Sequence, residues 1–245
     1  MLIDSHCHVL KEYYNDIPEV LANAKKANVN IIINSAYNYL SSLEVLKTTT
    51  EFSNVYGTIG LHPENCLENF DYNIFNNLNN KIVAVGEIGL DYHYGKEKKE
   101  EQIIVFKKQL DIATSLNLPV VIHSRDATMD TIEILSNYKV KGVIHSFSGS
   151  LETAKKYISM GFLLGINGVV TFKNCKLKEI LPFIPLESII LETDSPYLTP
   201  TPYRGQKNEP CHIKEIATFL AHIYNVDVAQ IAEITSKNVK RVFDI

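Results

Sequence analysis

Eight short apolar runs rich in β-branched residues recur along the chain, near residues 2–8, 29–35, 55–62, 82–89, 119–124, 142–147, 161–167 and 188–194. Between most of them the apolar residues switch to helical spacing: Ile17, Val20, Leu21 and Ala24; then Ile103, Phe106, Leu110 and Ala113; then Leu151, Ala154 and Ile158. Strands that alternate with helices pair in parallel through right-handed crossovers, and eight such units close on themselves. The pattern therefore predicts an α/β fold, a (β/α)8 TIM barrel with residues 1–245 as a single domain. An open doubly wound sheet is the competing architecture, but it calls for a glycine-rich phosphate loop after the first strand, where this chain has SHCH. Local signals fit the helices: Ser41 with Glu44 reads as a capping box, Asp126 and Ser150 as N-caps, and Pro119 parts the long helix from the fifth strand.

Active sites of such barrels lie at the C-terminal rim, so the ends of the runs are informative. The first run carries His6 and His8, two residues apart and so on one face of a strand, with Cα atoms about 6.6 Å apart. Glu87, His123, His145 and Asp194 each close another run, and none falls at a start. Parity places Val83 and Val85 on the face of Glu87, Val121 with His123, Val143 with His145, and Ile190 with Glu192 and Asp194. A lone strand histidine is commonly a satisfied core residue. Two carboxylates turned into one pocket with no lysine or arginine at the strand ends are different, because desolvating them costs several kcal/mol each. Divalent cations resolve this, and mixed imidazole and carboxylate donors suit zinc, manganese or iron better than magnesium.

Six donors exceed what one catalytic ion needs if it is to keep an open position, so two ions are expected, about 3.5–4 Å apart. Glu87 is the expected bridge, with His6, His8 and Asp194 on one ion and His123 and His145 on the other. Asp194 also suits the general base for an attacking water. His62, in GLHPE, is read as orienting a phosphate or protonating a leaving group, with capping as the alternative. Arg125, in HSRDA, suits a substrate phosphate, with a surface salt bridge as the alternative. His93, His212 and His222 are weaker candidates.

Bulk properties bound the rest. Net charge of −4 argues against a protein that coats nucleic acid through a broad basic field, while leaving room for local grip on a strand end. The lysines between Lys96 and Lys108 alternate with Glu97, Glu100 and Glu101, the mark of a solvated helix face. Four scattered cysteines read as reduced thiols, no apolar run approaches the roughly 18 residues of a membrane span, and no leader is evident. A cytoplasmic protein without a membrane contact or an obligate protein partner is the expectation.

The segments IDSHCH, GLHPE, VGEIGLDY, PVVIHSRDA, IHSFSG, GFLLGING and LETDSPYLTPTPYRGQKNEP, in this order from residue 3 to 210, resemble the TatD family of metal-dependent hydrolases. The resemblance implies a two-metal barrel, often a deoxyribonuclease removing nucleotides from the 3′ end of single-stranded DNA by a metal-bound hydroxide. It matches His6, His8, Glu87, His123, His145 and Asp194 to metal ligands binding two divalent ions, with Mg, Mn or Zn all open. His62 and Arg204 match positions near the substrate, and Asn208 and Glu209 positions that buttress the loop. Tyr92, Tyr94, Tyr197 and Tyr203 could stack bases at the rim. A metal-dependent amidase, esterase or deacylase of the wider amidohydrolase-like group is the alternative enzyme, and a catalytically idle scaffold the non-enzymatic one.

Overall fold

The structure, a computed structural model, describes residues 1–245. Eight strands form one parallel sheet in sequential order: β1 (Leu2–Cys7), β2 (Val29–Ser35), β3 (Val55–Ile59), β4 (Ile82–Asp91), β5 (Val120–Arg125), β6 (Gly142–Ile144), β7 (Phe162–Ile166) and β8 (Ile189–Leu191). Each lies within a run expected from the sequence, or within two residues of one. The helices are α1 (Ile17–Lys26), α2 (Tyr39–Glu51), α3 (Lys99–Leu116), α4 (Thr128–Leu135), α5 (Leu151–Ser159), the single turn α6 (Leu177–Ile180), α7 (Ile213–Tyr224) and α8 (Val228–Phe243).

The sheet curls into a nearly closed barrel. β8 and β1 share no regular ladder, and the seam is closed instead by bonds at the strand ends. Asp194 N–H donates to His6 O (2.9 Å) and His8 N–H to Ser195 O (2.7 Å). Ser5 Oγ donates to Leu191 O, and the buried Asp4 carboxyl accepts from both Thr193 N–H (2.9 Å) and Thr193 Oγ1 (2.5 Å). The bonds that complete the barrel thus involve the backbone of His6, His8 and Asp194.

Inside, Ile3, Ile33, Val83, Val121, Val143, Leu163 and Ile190 fill the lower barrel, which Val239, Val242 and Phe243 of α8 seal from below. A larger apolar layer separates the strands from the helices, with Ile32, Ile59, Ile88 and Leu90 of the sheet and Phe106 and Leu110 of α3 among its members. The polar side chains between Lys99 and Lys108 on α3 face solvent except Gln102. The buried amides of α3 are clasps. Gln102 accepts from Asp91 N–H (2.8 Å) and donates to Asp91 O (2.8 Å), and Gln109 does the same for Leu61 (2.7 and 3.0 Å). The second clasp matters because the β3–β4 link has no α-helix, only 3-10 turns at Pro63–Asn65 and Tyr72–Asn77.

Three local expectations are corrected. The N-cap of α2 is Asn38, not Ser41; Ser41 is the third helical residue and completes a capping box with Asn38, while Glu44 accepts from Lys11 N–H (2.7 Å). Asp126 caps nothing: it adopts a left-handed conformation (φ 53°) and faces His93, and Ala127 precedes α4 without a side-chain cap. Val85 does not share the face of Val83 and Glu87. Between Ile82 and Ala84 the β3–β4 register shifts by one residue, which turns Val85 outward, and between Val85 and Ile88 the β4–β5 register shifts again, which brings Glu87 back in. Ser150 does cap α5, accepting from Thr153 N–H at 3.2 Å.

If α8 seals the barrel, Phe243→Ala should lower unfolding free energy by about 3–5 kcal/mol in urea denaturation, and a loss below about 1 kcal/mol would show the floor carries little.

Candidate metal centre at the barrel mouth

The strand ends bring His6, His8, Glu87, His123, His145 and Asp194 into one cluster, with His62 beside it. Glu87, 3% exposed, stands at its middle. Its Oε2 lies 3.3 Å from His6 Nε2 and 3.9 Å from His8 Nε2, and its Oε1 lies 2.7 Å from His123 Nδ1 and 3.8 Å from His145 Nε2. Each oxygen thus faces a different histidine pair. Asp194 Oδ1 stands 3.7, 3.5 and 3.6 Å from Nε2 of His6, His8 and His145. Its backbone is left-handed (φ 56°), which aspartate tolerates better than most residues.

Two overlapping sets of donor atoms, His6–His8–Glu87 and His6–His145–Asp194, each lie within 4.8 Å of one another, as do those of His62–Glu87–His123. His145 therefore sits nearer the His6 side than a simple pairing with His123 implies, and its ring stacks on His6 with centroids 3.7 Å apart.

The outward nitrogens decide what the inward ones can do. His8 Nδ1 donates to Ser35 O (2.9 Å), which leaves the Nε2 lone pair facing the cluster. His123 Nε2 donates to Asp91 Oδ2 (3.0 Å), which turns a Nδ1 lone pair toward a Glu87 oxygen. His145 Nδ1 lies 3.0 Å from Glu192 Oε1, out of line for a hydrogen bond, and His6 Nδ1 meets Ser35 Oγ at 3.1 Å. His62 has the opposite polarity. Its Nδ1 accepts from Glu64 N–H (3.3 Å), capping the turn that follows, so its Nε2 carries a proton and faces Glu87 Oε1 at 3.5 Å. A lone pair and a carboxylate oxygen at 2.7 Å require a cation or a proton between them, so the cluster suits divalent ions and His62 does not belong among the donors.

The titration of these groups says which cation the ion-free site holds. Burial works against charge throughout. Against that penalty the imidazoles around Glu87 hold its carboxyl well below the usual range, and His145 and His8 keep Asp194 low. Burial likewise lowers His123, but Asp91 and Glu87 overcome it and raise the imidazole to about 9, while Glu192, Glu87 and Asp194 raise His145 to about 10. Protons on these imidazoles can therefore stand in for metal, a compensation that the absence of lysine and arginine does not exclude.

Asp91, Ser35 and Glu192, which stand against the outward nitrogens of the histidines, are not singled out by the sequence. The signals that point to them are the parity of ILETD, which puts Glu192 on the inward face, and the place of Asp91 four residues beyond Glu87 on the same strand. Their surroundings are tight. A Cβ on Gly165 would stand 2.2 Å from Glu192 Oε2, and one on Gly89, at φ 145°, only 1.9 Å from His123 O.

Of the outlying candidates, Arg125 is exposed with its guanidinium 4.6 Å over the Tyr94 ring, and Arg204 lies 3.8 Å over Phe172 and donates to Thr199 O (3.2 Å). Neither pairs with a carboxylate. Asn208 buttresses the β8 loop by donating to Thr193 O (2.9 Å) and Tyr197 O (2.6 Å), and Glu209 accepts from Asn23. Tyr94 and Tyr197 are 60% and 50% exposed, with Arg125 over one face of Tyr94 and Tyr13 edge-on to Tyr197. Tyr203 already stacks on His212 at 4.5 Å, and the Tyr92 hydroxyl is spent on Asp130. His93 faces Asp126, and His222 is exposed on α7.

Comparison with known proteins identifies a family and a shared fold. A family model described as TatD related DNase matches residues 3–244. An uncharacterized metal-dependent hydrolase of Bacillus subtilis, YabD, is 38% identical over the full length of both chains. The 3'-5' ssDNA/RNA exonuclease TatD of Shigella flexneri is 34% identical over 96% of this chain and 95% of its own. Among solved structures, YjjV, a TatD homologue from Escherichia coli, superposes with a TM-score of 0.94 at 29% identity, covering 100% of this chain and 98% of that one.

Ion binding at about pH 7 should expel about two protons, from His123 and His145. Titration calorimetry with Mn²⁺ in buffers of different ionisation enthalpy measures this, and apparent affinity should climb toward pH 9. Proton release near zero would show that the imidazoles are neutral without metal. In ion-free protein the same raised imidazoles contribute stability that is complete below about pH 6.5 and lost as pH rises through about 9 and 10.

Proposed function

Because the chain belongs to the TatD-related DNase family of metal-dependent hydrolases, we propose that it is a phosphodiesterase that removes nucleotides from the 3′ end of single-stranded nucleic acid, with two divalent ions, in the cytoplasm. The observation that carries this reading is the Glu87 carboxylate, whose two oxygens face separate imidazole pairs at the mouth of the barrel. The name of the Shigella relative supports the choice of a nucleic-acid strand over other esters.

His6, His8, Glu87, His123, His145 and Asp194 would hold the ions, which supply Lewis acidity at phosphoryl oxygens and acidify a water. The chain's own contributions follow from hydrogen bonding. Ser35 O, by accepting from His8, and Asp91, by accepting from His123, keep those rings in the tautomer that offers a lone pair inward. Asp194 Oδ1 is the carboxylate oxygen placed to take a proton from an attacking water, and its depressed pKa keeps it ionised at neutral pH. His62 Nε2–H is the donor next to the cluster, suited to steady Glu87 or to donate a hydrogen bond to a departing 3′-oxygen. Arg125 and Arg204, each without a carboxylate partner, are free for phosphates, and Tyr94 and Tyr197 for bases.

Strands labelled at the 3′ or 5′ end, incubated separately with magnesium, manganese and zinc alongside ester and amide substrates, test the assignment. Stepwise loss of the 3′ label is expected. Hydrolysis confined to the ester or amide panel would move the protein to the amidohydrolase-like alternative. Asp194→Asn, which the left-handed backbone tolerates, should reduce turnover at least about a hundredfold with fold and metal content retained. Near-native turnover would remove Asp194 from the base role.

A further inference from the structure

Beside the cluster, between the ends of β5 and β6 and the start of α5, lies a cavity of about 310 Å³ that includes His145 in its wall. At the small end of ligand cavities, it has room for a phosphate with part of its sugar. Its floor is Tyr157, 1% exposed, whose ring is wedged edge-on between Phe147 and Phe162 with centroids 6.5 and 6.4 Å away. The Tyr157 hydroxyl is buried without a hydrogen-bond partner, although Ser124 is close by. A buried hydroxyl of this kind is costly unless something outside the protein completes it.

Proton bookkeeping shows what could complete it. Thr131 Oγ1 spends its proton on Ala127 O, so Ser124 Oγ, 3.0 Å away, donates to Thr131 and has no proton left for the cavity, and it stands outside hydrogen-bonding geometry to the Tyr157 hydroxyl. Ser146 Oγ accepts from Asn167 Nδ2 (2.7 Å), which leaves its own proton available. The amides of Ser148 and Gly149, ahead of the Ser150 cap of α5, donate to no protein acceptor. Arg125 stands in the wall with no carboxylate partner. The one acid in the wall, Asp126, faces His93 at 3.1 Å. The cavity is therefore rich in unspent donors and poor in acceptors, as an oxyanion requires.

We propose that this cavity is an oxyanion subsite that receives the phosphate adjoining the scissile one in a nucleic-acid strand, a placement that rests on the phosphodiesterase reading. A scissile bond at a 3′ end has a neighbouring phosphate only on its 5′ side, so the subsite holds the strand that remains. It grips the strand by its backbone and reads no base.

Two measurements on the full chain separate the subsite from the reading it rests on. In the first, phenylglyoxal modification is followed by mass spectrometry with and without inorganic phosphate. Phosphate should protect Arg125 selectively over Arg204, and Tyr157→Phe should weaken that protection about tenfold while melting as the parent does. Equal modification with and without phosphate, protection equal at Arg204 (an adventitious ion only), or protection that Tyr157→Phe leaves unchanged overturns the subsite. In the second, a neutral methylphosphonate replaces the phosphate 5′ to the scissile one. It should raise KM about tenfold for the parent enzyme and little for Arg125→Ala, and the same replacement farther along the strand should be silent. Cleavage with KM unmoved by the replacement sinks the subsite and leaves the nuclease standing. Protection of Arg125 in a protein that cuts no oligonucleotide sinks the nuclease and leaves an oxyanion site.

Discussion

The seam between β8 and β1 is the constraint on which the rest depends. Seven strand pairs are ordinary parallel ladders, whereas the eighth junction is made by Asp4 gripping Thr193 and by backbone bonds from Asp194 to His6 and from His8 to Ser195. Those bonds place the first strand's two imidazoles beside the last strand's carboxylate, although 186 residues separate His8 from Asp194 in sequence. Asp4 is fully buried and burial raises its carboxyl to about 8, so the clamp tends toward the protonated form and adds little charge to a crowded region. A loosened seam would cost the barrel its closure and the site one of its two carboxylates together.

Electrostatic crowding sets the character of the mouth. Glu87 and Asp194 face inward, Asp91 stands directly behind His123, and Glu192 lies beside His145. The two halves differ: His6 and His8 are steadied by the uncharged Ser35, whereas His123 and His145 are backed by carboxylates that make an imidazole a stronger donor. Cations must answer this negative charge, and the fold supplies none from lysine or arginine. Protons do so without metal, which couples the acid–base state of the site to its occupancy. Arg125 and Arg204 stand outside the cluster, over aromatic rings, where they do not quench its carboxylates.

The architecture was legible because it rests on local periodicity. Alternating periods near two and near 3.6 gave the strands and most helices, and the position of each histidine or acid at the end of its run followed from the same pattern. The cap of α2 was misassigned because Asn38 and Ser41 both suit a cap, and only the chain path shows which one leaves the helix. Val85 was misplaced because strict alternation cannot anticipate a register shift. The helix-poor β3–β4 link was equally hidden, since the buried clasp that holds it comes from Gln109, 48 residues farther on.

What the sequence by itself determined was which histidines and carboxylates stand at the ends of the strands, because the end of an apolar run is written in adjacent residues. Only the tertiary structure decided how those donors are tuned. The partner of each outer nitrogen, Ser35 for His8, Asp91 for His123 and Glu192 beside His145, lies on another strand. The orphaned hydroxyl of Tyr157 emerges only when α5 is laid against β5 and β6. Hydrogen-bond direction and cavity shape are relations between distant segments, and no local pattern encodes them.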